Sequence, residues 1–323
     1  FYGIKGIDII NGDNFTIGGV SNITTVGSNE SGEYGIYTSD RYGFNNPDGQ
    51  WEGEIGVAVI GDSFVHGATV NVGEDISSNI RGSDNVVNLG VGGHGPLLEL
   101  ATLVEYAKPY KVKKLIWVYY EGNDLSDLSI ERQKPLLMKY LDRSFSQDLL
   151  AKKNKIDDYL VKQIEVAGTR AEKFQEQQVR GIVFLWHVRF FLKKLLANKF
   201  QNERENNFKT IYGQNISLFL RIILQAKKEV ELWGGEFYFV YLPEYSRYKN
   251  ISNHDAYKEK AKLINLIKAV NIPVIDIHKE VFLNHPTPLL IFPFGLSGHY
   301  TEKGYKEVAK KIVTGVENTM SSR

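Results

Sequence analysis

The sequence predicts an α/β protein built on a doubly wound parallel sheet, and three observations carry that expectation. Five short runs, residues 55–60, 85–89, 115–120, 237–242 and 274–277, are rich in β-branched and aromatic residues. They are near-continuously apolar rather than alternating, the pattern of strands buried on both faces. Helix-forming stretches with recognisable ends lie between them, and strand–helix alternation is the signature of a sheet covered on both sides.

Each element has a local reason. Residues 1–50 are rich in Gly, Asn, Ser, Thr and aromatics, and read as an irregular, partly β-stranded lead-in ending in turn chemistry at 45–49. Pro96 suits the first turn of a helix over 97–107. The helix over 217–232 closes at Gly234 and Gly235, just before the fourth core strand. A further helix covers 256–269 ahead of Pro273, and the last runs from Thr301 and Glu302 towards Val316. One connection is far too long. More than a hundred residues separate Glu121 from Phe237, where a βαβ crossover needs about a dozen. The expected organisation is therefore a lead-in over 1–50 and one α/β domain over 51–323, with a helical insertion at about 130–215.

Composition narrows the function classes. The 323 residues include 39 Lys+Arg against 38 Asp+Glu, so a net charge of +1 provides no general attraction to nucleic acid or anionic membrane. The absence of cysteine removes disulfides, thiol nucleophiles and Cys-ligated zinc. No apolar run reaches the roughly 18 residues needed to span a bilayer, and residues 181–200 are interrupted by His187, Arg189, Lys193 and Lys194. The apolar stretch 182–196 reads as a helix packed on the core or on a second subunit. Peripheral membrane contact through its basic, apolar surface is the alternative. The chain opens on Phe1, which is compatible with a removed leader or anchor, and an extracytoplasmic location is the expectation. Nothing in the sequence sets an oligomeric state.

Ligands of open α/β sheets bind beyond the carboxyl ends of the strands, so the residues that follow each strand are the informative ones. After the first comes Gly61-Asp62-Ser63-Phe64, after the second the run from Gly90 to Gly95, and after the third Glu121-Gly122-Asn123-Asp124. Ser297-Gly298-His299-Tyr300 stands before the last helix. A hydroxyl, backbone donors, a side-chain amide and an imidazole at these places are what acyl transfer needs. Ser63 can attack an ester carbonyl, and His299 can take its proton and return it to the leaving alcohol. The amides of Ser63 and Gly90 and the side chain of Asn123 can stabilise the oxyanion.

This ordered set of four blocks resembles the SGNH/GDSL hydrolase family, over the sheet-forming parts of 55–124 and 237–318. The resemblance implies a flavodoxin-like three-layer α/β/α fold and esterase, lipase or carbohydrate-deacetylase activity. It also implies Ser63 as nucleophile, His299 as base, and Gly90 with Asn123 in the oxyanion hole. One departure stands out: the family's Asp three residues before the histidine is Leu296 here. The imidazole then needs another orienter, or the site is inactive. The options are a Ser–His dyad steadied by a backbone carbonyl or by Ser297, or an acid from elsewhere, with Asp276 and Glu302 the nearest in sequence.

Competing motifs fare worse. Gly90, Gly92 and Gly95 fit G-x-G-x-x-G, with Glu121 as a ribose partner, but the run follows the second strand and leaves Ser63, Asn123 and His299 unexplained. Val65 stands where an α/β-hydrolase elbow needs its second Gly. The seven histidines show no metal-ligand spacing. The expected partner is a small acyl ester or acylated glycan, with no cofactor, no metal and no nucleic acid. Tyr119 and Tyr120 suit sugar stacking and core packing equally. A glycan O-acyltransferase, or an inactive carbohydrate-binding scaffold, is the alternative. His66 and His94, in the turn segments, read as surface or packing residues, with lining of the cleft as the alternative, and Asp62 reads as the residue that fixes its turn.

Overall fold

The structure, a computed structural model, describes residues 9–10, 14–82, 84–178, 201–249 and 255–321. Two short antiparallel pairs belong to the lead-in: β1 (Ile9–Ile10) with β2 (Asn14–Phe15), and β3 (Thr24–Val26) with β4 (Ile36–Thr38). Five parallel strands then form the central sheet: β5 (Ile55–Ile60), β6 (Asn85–Asn88), β7 (Lys114–Tyr120), β8 (Glu236–Leu242) and β9 (Val274–Asp276). Their spatial order is β6-β5-β7-β8-β9. The order reverses at β5, so the crevice beyond the carboxyl ends of β5 and β7 is the switch point where such sheets bind ligands.

Burial follows the strand periodicity of two. Leu115, Trp117 and Tyr119 of β7 and Phe237, Phe239 and Tyr241 of β8 face one core, with the helices Pro96–Thr102, Gln201–Leu232 and Asp255–Ala269 over them. Ile116, Val118, Tyr238, Val240 and Leu242 face the other, under the helix Glu302–Ser321. Helices on both faces of a parallel sheet make three layers, α/β/α. Between β7 and β8 lie the two longest helices, Lys153–Gln178 and Gln201–Leu232, where the overlong connection was expected. The stretch 182–196, considered for membrane contact, lies outside the described residues. Among the described residues no helix is long and apolar enough to cross a membrane.

The lead-in is not a loose arm. Phe15, Ile17, Val20, Phe44 and Trp51 are buried in the same core as the insertion side of the sheet. Glu105 accepts from Tyr140 Oη (2.7 Å), Gln147 N (2.5 Å) and Leu149 N (2.9 Å), and Gln147 Oε1 in turn accepts from Phe15 N (2.9 Å). Lys153 Nζ donates to Gly19 O (2.7 Å), and Asp157 accepts from Ser21 N (3.0 Å). At the centre is Asp40, fully buried, whose carboxylate accepts from Tyr42 N, Phe44 N, Asn46 Nδ2 and Trp51 Nε1 at 2.7–2.9 Å. Asn46 passes the network to β6, accepting from Asn88 N (2.7 Å) and donating to Asn88 O (2.9 Å).

Removing Asp40 would orphan three buried donors and a half-buried one at once, and one orphaned buried group alone costs about 1–3 kcal/mol. Asp40→Ala is therefore expected to lower unfolding free energy by about 3 kcal/mol in urea denaturation, with Asp40→Asn recovering part of the loss. A loss below about 1 kcal/mol would mean that the lead-in is held by its apolar side chains alone.

Candidate active site

The turn that carries Ser63 is built by sterics. At Gly61 a Cβ would lie 2.6 Å from Val65 Cγ2 and 3.0 Å from Val118 O, so glycine lets the chain turn close against the sheet. Asp62 caps the one-turn helix Ser63–His66 by accepting from Phe64 N (2.9 Å), and Gly67 ends it in the left-handed region at φ +67°. Asp62 thus fixes the turn, as its sequence position suggests. Ser63 is left half-buried at the mouth of the crevice.

His299 arrives from the other end of the chain. Its Nε2 lies 2.7 Å from Ser63 Oγ, while its ring rests on Phe64 (centroids 4.6 Å apart), which is stacked on Tyr120 (4.0 Å). The other nitrogen, Nδ1, lies 2.9 Å from Glu30 Oε1, and the His299 backbone N–H donates to Glu30 Oε2 (2.7 Å). Gly298 makes room for this: a Cβ there would come 2.6 Å from Glu30 Oε2. Burial pushes the Glu30 carboxyl up, but the hydrogen bonds and charge of His299 outweigh it and hold the group below its ordinary value.

The orienting acid is therefore Glu30, and none of the three residues nearest in sequence holds the imidazole. Asp276 is paired with Lys260 (2.9 Å), Ser297 is exposed, and Glu302 is exposed at the start of the last helix. Sequence reasoning missed Glu30 because it lies 269 positions from His299 in an irregular segment. No spacing rule links the two; only the docking of the lead-in does.

The oxyanion side also departs from expectation. The Gly90 amide donates to Asn88 Oδ1 (2.9 Å) in the buried floor, so it is not free for a substrate. What Gly90 provides is close approach: a Cβ would sit 2.3 Å from His66 N. The glycine that borders the crevice is Gly92, exposed, with its Cβ position 3.7 Å from Ser63 Cβ. It belongs to a turn in which His94 N donates to Val91 O (3.2 Å) and Gly93 takes φ +82°. Asn123 is the N-cap of the helix Asp124–Glu131 without a side-chain cap hydrogen bond, and its buried Oδ1 has no partner among the described residues. Tyr119 is a core residue stacked between Phe239 and Tyr241, which removes it from sugar stacking. Glu121 is bound by Arg247 and Tyr241, and so is not free to meet a ribose.

Beneath the crevice lies a set of buried carboxyls. Glu131 caps the helix Pro96–Thr102 by accepting from Gly95 N (2.7 Å) and Leu97 N (2.8 Å), and burial pushes it up to about 7. Burial, then the charge of Asp62, raises Asp124 well above the usual range, although Asp124 accepts from Tyr120 N (2.9 Å). Glu99 is fully buried, neither of its carboxyl oxygens has a hydrogen-bond partner among the described residues, and burial followed by the neighbouring acids raises its carboxyl well above the usual range. Among the described residues no group of three or more His, Cys, Asp or Glu could hold a metal ion. No protein-family model matches the chain, and no curated protein matches it. Chemically, the arrangement can deprotonate a hydroxyl at Ser63 and hold the resulting imidazolium against a carboxylate.

The buried acids have a measurable consequence. The raised Glu99 carboxyl holds its proton to higher pH in the fold than in the unfolded chain, which releases it at about pH 4.5. Its contribution is thus a destabilisation absent in acid that grows as pH rises towards the folded value. Glu99→Gln is expected to raise the melting temperature at pH 7–8 by about 2–4 °C and to leave it unchanged near pH 3.5. Equal melting curves at both pH values would show that Glu99 is not protonated in the folded protein.

Proposed function

We propose that this chain is a serine-dependent ester hydrolase of the SGNH/GDSL kind, with Ser63 as nucleophile, His299 as general base and Glu30 as the third member of a triad. One observation carries the proposal: the unbroken hydrogen-bond line from Glu30 through His299 Nδ1 and Nε2 to Ser63 Oγ, with both spans under 3 Å. The five-strand order, which is the flavodoxin-like one, and the placement of this line at the switch point support it.

In the proposed reaction Ser63 Oγ attacks the ester carbonyl as its proton passes to His299 Nε2. The carboxylate of Glu30 stabilises the imidazolium through Nδ1–H. The tetrahedral oxyanion is met by donors around the Gly92 side of the crevice and by Asn123. Collapse breaks the C–O bond and hands the proton from His299 to the departing alcohol, leaving the acyl group on Ser63. Water then repeats the sequence in reverse roles, releasing the carboxylic acid and restoring Ser63–OH. A glycan hydroxyl in place of water would make the same site an O-acyltransferase. The substrate class proposed is an acyl ester, acylated glycans included.

A serine-reactive fluorophosphonate, mapped by peptide mass spectrometry, tests the proposal. The expected adduct is on Ser63 and absent in Ser63→Ala. Glu30→Ala is expected to slow labelling by up to about 10⁴-fold, the loss seen when a triad loses its orienting carboxylate. A folded wild-type protein that takes no label would replace the enzyme reading with a binding or scaffold role.

A further inference from the structure

His66 lies three residues beyond Ser63 on the same helical turn, a spacing that places both on one face. Its Nε2 is 2.8 Å from Tyr37 Oη, with the two rings edge to face at 5.6 Å. Tyr37 belongs to β4. A neutral imidazole carries one N–H, so when the phenol donates to Nε2 the ring's proton sits on Nδ1.

The freed donor faces the site. His66 Nδ1 has no hydrogen-bond partner among the described residues, and the Cβ position of Gly92 lies 3.7 Å from it and 3.7 Å from Ser63 Cβ. Nδ1 and Ser63 therefore border one opening, kept clear because residue 92 has no side chain. On the same side, the Gly90 amide that would complete an oxyanion hole is consumed by Asn88. Resting on the reading of Ser63 as nucleophile, we infer that Tyr37 donates to His66 Nε2 and that the Nδ1–H this leaves on the ring donates to the carbonyl oxygen of the bound ester and stabilises the negative charge that develops there.

A neutral imidazole suits this task. Burial, followed by the charge of His299, lowers His66 to about 4, so it stays uncharged at neutral pH. A second cation would oppose formation of the His299 imidazolium in the transition state; a neutral donor does not. Neutral histidine acting as an electrophile towards a carbonyl is established enzyme chemistry. The lead-in hairpin then has two duties at the site: Glu30 on its loop sets one imidazole, and Tyr37 on β4 sets the tautomer of the other.

The test uses the full chain with p-nitrophenyl acetate, whose acyl group offers only the carbonyl oxygen, alongside fluorophosphonate labelling of Ser63. His66→Phe is expected to lower kcat by about 10–100-fold with KM nearly unchanged, since an oxyanion donor acts in the transition state. The Ser63 labelling rate should fall in parallel. His66→Asn, whose amide N–H stands where Nδ1–H stood, is expected to recover at least about tenfold of that loss. His66→Gln keeps a polar side chain but carries its donor towards Tyr37, and is expected to remain slow; it guards against a folding failure of the Phe variant. A kcat for His66→Phe or His66→Gln within twofold of wild type, or His66→Asn no faster than these two, would overturn the assignment. Absence of label on wild-type Ser63 would overturn the hydrolase reading itself, a distinguishable result.

Discussion

The site depends on a carboxylate supplied from outside the sheet. Glu30 binds His299 twice, through the imidazole Nδ1 and through the backbone N–H. A single contact would fix a distance. Two contacts from one planar carboxylate also fix the orientation of the loop that carries the ring. The remaining constraint on the imidazole is Phe64 beneath it, and that ring belongs to the same one-turn helix as Ser63. Ser63 and His299 are thus positioned against each other by a short covalent path on one side and by the docked lead-in on the other.

That arrangement transfers the burden of order to the lead-in, and the buried polar network there meets it. Asp40 gathers donors from the loop that follows it, and Asn46 links that loop to the end of β6. Asn88 then carries the network under the active-site turn, holding Val65 O (2.7 Å) and the Gly90 amide (2.9 Å). Buried networks of this kind are costly when incomplete and rigid when satisfied. Here each member is held by at least two others, so the hairpin bearing Glu30 and Tyr37 is tied to the floor on which Ser63 stands.

The carboxyls below the crevice work in the opposite sense. Glu99, Asp124 and Glu131 are fully buried, and their charged forms are disfavoured by burial and by one another. Glu131 offsets its cost by capping a helix start whose first N–H groups have no partner within the helix. Glu99 has no such compensation, and its retention costs stability at neutral pH. In the proposed reaction, acids beneath His299 would favour its imidazolium electrostatically, although protonation limits the effect.

What the sequence determined by itself is local. Apolar runs of strand length, Gly61 and Gly67 around Ser63, Pro96 at a helix start and Gly234 at a helix end each act within a few residues. The strands, most helix positions and the Ser63–His299 pairing could therefore be anticipated from them. Three assignments were decided only by tertiary structure. Glu30, not Ser297, Asp276 or Glu302, meets the imidazole; Asn88 removes the Gly90 amide from the crevice; and Tyr37 sets which nitrogen of His66 faces the site. Each turns on which partner a hydrogen-bonding group finds across a packed interface. A chain position encodes what a side chain can donate or accept, whereas the partner is chosen by how the lead-in docks, 269 residues away in the case of Glu30 and His299.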